Sequence, residues 1–100
     1  MQNSPLSDEQ IEAVQGYLDS KLPEQMCYVS SWDEDTMSQV FWFKNAPNHK
    51  IRVSWEFFRD CRDYGAALHD LRLAESIQKY GNQQKTFIVC GGRQATLKVQ

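Results

Sequence analysis

The chain reads as a single α+β domain over residues 1–100, with a mainly antiparallel sheet packed on helices. Three observations predict this. A capped amphipathic helix opens the chain, five short β-rich runs fall into two groups on either side of a helical stretch, and the turns within each group are too short for crossovers. A length of 100 residues suits one core and is too short for two. Hydrophobic residues at 41 %, with 12 % aromatic, supply enough apolar area to offset chain entropy, which excludes disorder.

The first helix is expected over about 8–21. Ser7 is placed as its N-cap, with Gln10 three residues on to complete a capping box and Leu6 and Ile11 spaced as a hydrophobic staple. Asp8 and Glu9 fall in the first turn, where the helix dipole favours negative charge. Ile11, Val14, Leu18 and Leu22 form one apolar stripe, and Pro23 ends it.

Strand-like runs follow at 26–32, 38–44 and 49–54. The first ends at the acidic tip Asp33-Glu34-Asp35 and the second at Asn45-Ala46-Pro47-Asn48, whose residues favour turns. In the third, His49, Ile51 and Val53 alternate with Lys50, Arg52 and Ser54, the mark of a half-buried strand. Short loops make these three an antiparallel meander.

Ser54 then stands as the cap of a second helical region, with Glu56 in its first turn and Val53 and Phe58 as another staple. The helical spacing of Phe58, Cys61, Leu68, Leu71, Ala74 and Ile77 runs to Gly81, as one helix over 55–80 or two that bend at Gly65. Runs at 86–90 and 95–99 flank Gly91-Gly92-Arg93-Gln94 as a last hairpin, so the expected order is α-β-β-β-α-β-β.

The residues after Met1 show neither a basic run nor an apolar stretch, and no window approaches the roughly 18 apolar residues of a membrane span. A cytoplasmic protein is expected. Cys27, Cys61 and Cys90 are odd in number and widely spaced, which fits free thiols better than a disulfide framework. The net charge of −2 is unevenly placed. Residues 1–36 carry eight carboxylates against Lys21, and residues 37–100 carry ten cationic side chains against five carboxylates. Either the two halves attract each other within the fold, or the surface is dipolar and orients a charged partner.

Candidate chemistry is sparse. Zinc sites need paired ligands on one turn, and Cys61 and His69, eight apart, do not make a tetrahedral set; no metal or other cofactor is expected. Cys61 sits between Arg59 and Arg62 and Cys90 precedes two glycines, each one ingredient of a reactive thiol, but neither has a base that the sequence assigns. His49 and the His69-Asp70 pair are the candidate bases. Gly91-Gly92-Arg93 lacks the spacing of a phosphate loop and fits a turn that needs positive φ. No catalytic residue is assigned.

The second strand is the most informative feature. Phe41 and Phe43 take one face and Val40 and Trp42 the other, so both faces of the sheet must meet something. The last hairpin repeats this, with Phe87 and Val89 opposed to Ile88 and Cys90. If Phe41 and Phe43 face the helices with Ile51 and Val53, then Trp42 lies with Lys44, Lys50 and Arg52 on the opposite face. Either another segment of the chain covers that face, or a partner does. These four are the candidate partner-binding residues.

The expected function is a non-enzymatic protein-binding module, an adaptor, small chaperone or inhibitor, working as a homodimer or on another protein. In its element order and acidity the chain resembles class I type III secretion chaperones, small acidic cytoplasmic dimers that hold an unfolded segment of an effector; that family's last helix has no counterpart after Val99. The α-β-β-β-α stretch also resembles double-stranded-RNA-binding domains, which implies a nucleic-acid binder using Trp42 and its cations. Trp55-Glu56-Phe57-Phe58 stands where that family has its basic cluster, and a pI of about 5.6 opposes the electrostatic attraction such binding needs. A small enzyme with an unrecognised site is the third class.

Overall fold

The computed structural model describes residues 4–22, 27–43, 49–80 and 83–100. Helix α1 (Asp8–Lys21) starts at a complete capping box: the Gln10 N–H donates to Ser7 Oγ at 3.2 Å, and the Ser7 N–H donates to Gln10 Oε1 at 2.9 Å. Val14, Leu18 and Leu22 of the expected stripe are buried and Ile11 packs at the margin. Tyr17 is buried beside them, and its hydroxyl donates to the Leu68 carbonyl at 3.3 Å. Pro23 lies outside the described residues.

Strands β1 (Cys27–Asp33) and β2 (Ser38–Phe43) form a hairpin, and β3 (Lys50–Ser54) continues the antiparallel meander. Met37 ends the β1–β2 turn at a φ of 50°, the left-handed region that short polar residues and glycine enter most easily. Its carbonyl accepts the Trp55 N–H at 2.9 Å, tying the turn to the next helix. The expected turn at 45–48 lies outside the described residues.

The helical middle differs from both sequence readings, for it is three short helices: α2 (Trp55–Asp60), α3 (Tyr64–Asp70) and α4 (Leu73–Tyr80). One straight helix over 55–80 would be about 39 Å long, whereas the longest extent of the molecule is 31 Å. The breaks come at caps instead of at Gly65, which lies inside the first turn of α3. Ser54 Oγ accepts the Phe57 N–H at 3.4 Å to start α2, and Asp63 Oδ1 accepts the Ala66 N–H at 3.0 Å to start α3. Between α3 and α4, Arg72 takes a φ of 56° and its N–H donates to the His69 carbonyl at 3.0 Å. Gly81 lies outside the described residues.

Strands β4 (Thr86–Cys90) and β5 (Thr96–Val99) complete a five-stranded sheet in the order β1-β2-β3-β4-β5. The α+β class holds, with the order α-β-β-β-α-α-α-β-β and one parallel pair, β3 with β4, in an otherwise antiparallel sheet. Phe41, Ile51 and Phe87 align across three strands, with Val53 and Val89 in the next row. These five join Val14, Leu18, Phe57, Phe58, Leu68, Leu73 and Ile77 in one core cluster. Gly91, at a φ of 83°, makes the β4–β5 turn in the conformation that glycine adopts without strain.

Leu18 and Val53 are fully buried, so Leu18→Ala and Val53→Ala should each cost about 1–4 kcal/mol through lost transfer energy and a residual cavity. Arg72→Gly should stabilise by about 0.5–1 kcal/mol, because glycine meets no steric penalty in a left-handed helix cap. Urea midpoints of the three variants check both statements; an Arg72→Gly midpoint below wild type would contradict the second.

Candidate functional site

Pleat alternation turns the odd side chains of β2, β3 and β4 toward the helices and the even ones away. On the far face, Trp42, Lys50 and Thr86 form one cross-strand row, and Ser31, Val40, Arg52, Ile88 and Lys98 form the next. Beyond it Asp33, Ser38 and Ser54 form a third row across β1 to β3, and Cys90 pairs with Thr96 across β4 and β5. Trp42, Val40, Ile88 and Cys90 do not belong to the cluster that the sheet makes with the helices. Among the described residues, then, the helices cover one face and leave this one without a helical layer. Val40 is only 4 % exposed between its row neighbours, while Trp42 and Ile88 are half-buried.

Of the four residues singled out in the sequence, the structure brings Trp42, Lys50 and Arg52 onto this face in adjacent rows; Lys44 lies outside the described residues. Lys98, Ile88, Ser38 and Ser54 share the face and were not singled out. The alternation of Thr96 and Lys98 with Leu97 and Val99 was visible in the sequence, but nothing local said that β4 and β5 would lie beside β3.

The third row contains small side chains and leaves a cavity of about 150 Å³ lined by Thr36, Ser38, Arg52, Ser54, Ile88, Val89 and Cys90. Arg52 is one of the lining residues, and its Nε is buried with no hydrogen-bond partner among the described residues. A buried N–H left without an acceptor costs about 1–3 kcal/mol, and more when the group is charged. Thr36 Oγ1 donates to Asp33 Oδ2 at 3.0 Å and lies 2.6 Å from Ser38 Oγ. The chain of hydroxyls therefore runs from Ser38 through Thr36 to the Asp33 carboxylate and uses both protons. Ser54 Oγ accepts the Phe57 N–H and keeps its own proton to give.

The thiol candidates come out differently. Cys61 is the C-cap of α2 and His69 is exposed in α3, so the two do not share a helix face. The Cys61 thiol donates to the Gly92 carbonyl at 3.4 Å. Burial pushes its pKa up, and the Asp60 charge adds to this, which is the reverse of what a nucleophilic thiolate needs. Arg59, one of the two cations beside it in the sequence, pairs with Asp60 at 2.8 and 3.0 Å and holds that carboxyl below its usual value. Gly92 packs so closely on Asp60 that a Cβ there would collide with the carboxylate side chain. A cleft of about 310 Å³ beside Cys61 is lined by Asp70, Arg93 and the β4–β5 turn. His49 is buried edge-on against Phe87 with Nε2 2.8 Å from the Gln83 carbonyl, the role of a core residue. Among the described residues, no three of His, Cys, Asp and Glu converge as metal ligands, and no helix is long and apolar enough to cross a membrane.

No family model, curated protein or solved structure matches the chain.

Because its neutral form is favoured, Cys61 should react with iodoacetamide more slowly than a free cysteine at neutral pH. Its rate should keep rising above the ordinary thiol pKa of about 8.5. Mass spectrometry of the alkylated peptide across pH checks this, and a plateau reached near neutrality would mark an activated thiolate.

Proposed function

We propose that the chain is a non-enzymatic protein-binding module whose docking surface is the sheet face without a helical layer. The observation that carries this reading is the composition of that face: the apolar Trp42, Val40 and Ile88 lie among Lys50, Arg52 and Lys98. An aromatic anchor amid cations suits an acidic, partly apolar segment of another protein. A second copy pressed onto the same face would bring two sets of Lys50, Arg52 and Lys98 together, with only Asp33 among the residues of these rows to offset them, which disfavours it. The partner chemistry that fits is therefore carboxylate-rich, and the homodimer expected from the sequence becomes an outcome to test. Exposed carboxylates on α1, at Asp8, Glu9, Glu12 and Asp19, lie on the other layer and discourage the same partner from docking there.

Trp42→Ala should weaken partner association by about 2 kcal/mol, as the loss of a central aromatic anchor does, while far-UV circular dichroism stays unchanged. Affinity capture with wild type and Trp42→Ala, each eluate read by mass spectrometry and by nucleic-acid staining, checks it. Acidic proteins enriched only by wild type are the expected result. Nucleic acid in the wild-type eluate that is lost steeply with salt would replace this reading with the nucleic-acid one. A dimer seen by sedimentation and dissolved by Trp42→Ala would place a second copy on the face.

A further inference from the structure

The sheet ends at β5, and among the described residues no strand pairs with its outer edge. The Thr86 N–H donates to the Gln100 carbonyl at 2.8 Å and the Gln100 N–H to the Thr86 carbonyl at 2.9 Å. Antiparallel alternation then makes Ile88 with Lys98 and Cys90 with Thr96 the other hydrogen-bonded pairs of this ladder. The N–H and C=O groups of Leu97 and Val99 therefore point away from β4, along the open edge. Their side chains lie on the helical face, where both pack at the margin of the core and remain half-buried. On the other face Thr96 and Lys98 are exposed. The edge thus offers backbone donors and acceptors between an unfinished apolar row on one side and a cation on the other.

We infer that the outer edge of β5 receives an extended, carboxylate-bearing segment of the partner protein as a sixth strand. The inference rests on the protein-binding reading of the sheet face and states how the partner lies beside it. Charge chooses the occupant. From Gln83 to Gln100 the chain carries Lys85, Arg93 and Lys98 and no carboxylate. Of the carboxylates beside the β4–β5 turn, Asp60 is paired with Arg59 and seated against Gly92, and Asp70 lies in the cleft on the helical side. A second β5 laid along the first would bring two sets of these cations together with no acidic side chain on either strand to offset them, which disfavours self-pairing. An added strand alternates with the pleat: its side chains on the helical face meet Leu97 and Val99 and are apolar, and those on the sheet face pass Lys98 and are Asp or Glu. Backbone bonds to Leu97 and Val99 hold the segment, and the alternation of acidic and apolar residues selects it.

The test uses the full chain, labelled with ¹⁵N, and an eight-residue peptide of alternating Glu and Val. In the free chain the Leu97 and Val99 amides should exchange with water faster than those of Lys98 and Gln100, which bond to β4. Saturating peptide should slow Leu97 and Val99 about tenfold. The same peptide N-methylated at its four central residues keeps its side chains and loses its donors, and should not protect them; nor should the peptide with Lys for Glu. Lys98→Glu should weaken binding of the Glu peptide about tenfold. Val99→Pro removes one outward N–H at an edge position that tolerates proline, and should weaken binding by a similar factor with far-UV circular dichroism unchanged. Should that variant unfold, the N-methylated peptide tests the same bonds on the wild-type chain. Unchanged exchange at Leu97 and Val99 up to millimolar Glu peptide, or equal protection by the N-methylated or Lys peptide, would overturn the inference. Acidic proteins captured alike by wild type and Val99→Pro, but not by Trp42→Ala, would overturn strand addition and leave the docking face standing. Protection of both amides by the Glu peptide together with undiminished capture by Trp42→Ala would support the edge while the face reading fails. Protection that grows with protein concentration alone, with a dimer in sedimentation, would assign the edge to a second copy and overturn the acidic segment.

Discussion

The parallel pairing of β3 with β4 is the constraint on which the remaining structure depends. Neighbouring parallel strands cannot be joined by a tight turn, so the chain between Ser54 and Thr86 has to leave the sheet, cross it and return. It crosses on the side of Phe41, Ile51 and Phe87, and Phe57, Phe58, Leu68, Leu73 and Ile77 bury themselves there. α1 fills the same layer through Val14, Leu18 and Tyr17. Every described helix is thus drawn to one face, and the other is left to the side chains that the pleat turns outward.

The crossover also explains the division of the helical middle. The connection must turn over a sheet narrower than a continuous 26-residue helix is long, and it turns where polar groups can satisfy the backbone. Asp63 receives an orphan N–H at the start of α3. Arg72 bends back with its own N–H on the His69 carbonyl, accepting a left-handed conformation that glycine would take more easily. The bend at Cys61 has a further consequence, because it directs the thiol to the Gly92 carbonyl of the β4–β5 turn and seats Asp60 against the glycine. That contact joins the end of the crossover's first helix to the last hairpin.

The two-layer arrangement sorts charge. The carboxylates of the front half that lie on α1 are exposed on the helical side, whereas Lys50, Arg52 and Lys98 from the back half are carried on the far side of the sheet. An apolar core between the layers keeps these two sets apart, but the separation is partial, since Asp33 lies on the sheet face and Lys21, Arg59, Arg72 and Lys79 are exposed on the helical side.

The sequence by itself determined the local structure: the Ser7–Gln10 capping box, the Val14–Leu18–Leu22 stripe, the Ser54 cap, the strand parities that put Phe41 and Val53 inward, and the positive φ at Gly91. Each follows from residues within a few positions of one another, where propensity, capping and pleat act directly. Trp42, Lys50 and Arg52 were legible as one group for the same reason, since they lie on adjacent strands joined by a short connection. Only the tertiary structure decided that β4 returns parallel to β3, that the helical stretch is three segments, and that Lys98, Ile88 and Ser54 complete the sheet face. Those outcomes depend on which face the crossover covers, a choice made by long-range burial of apolar side chains that no local spacing encodes.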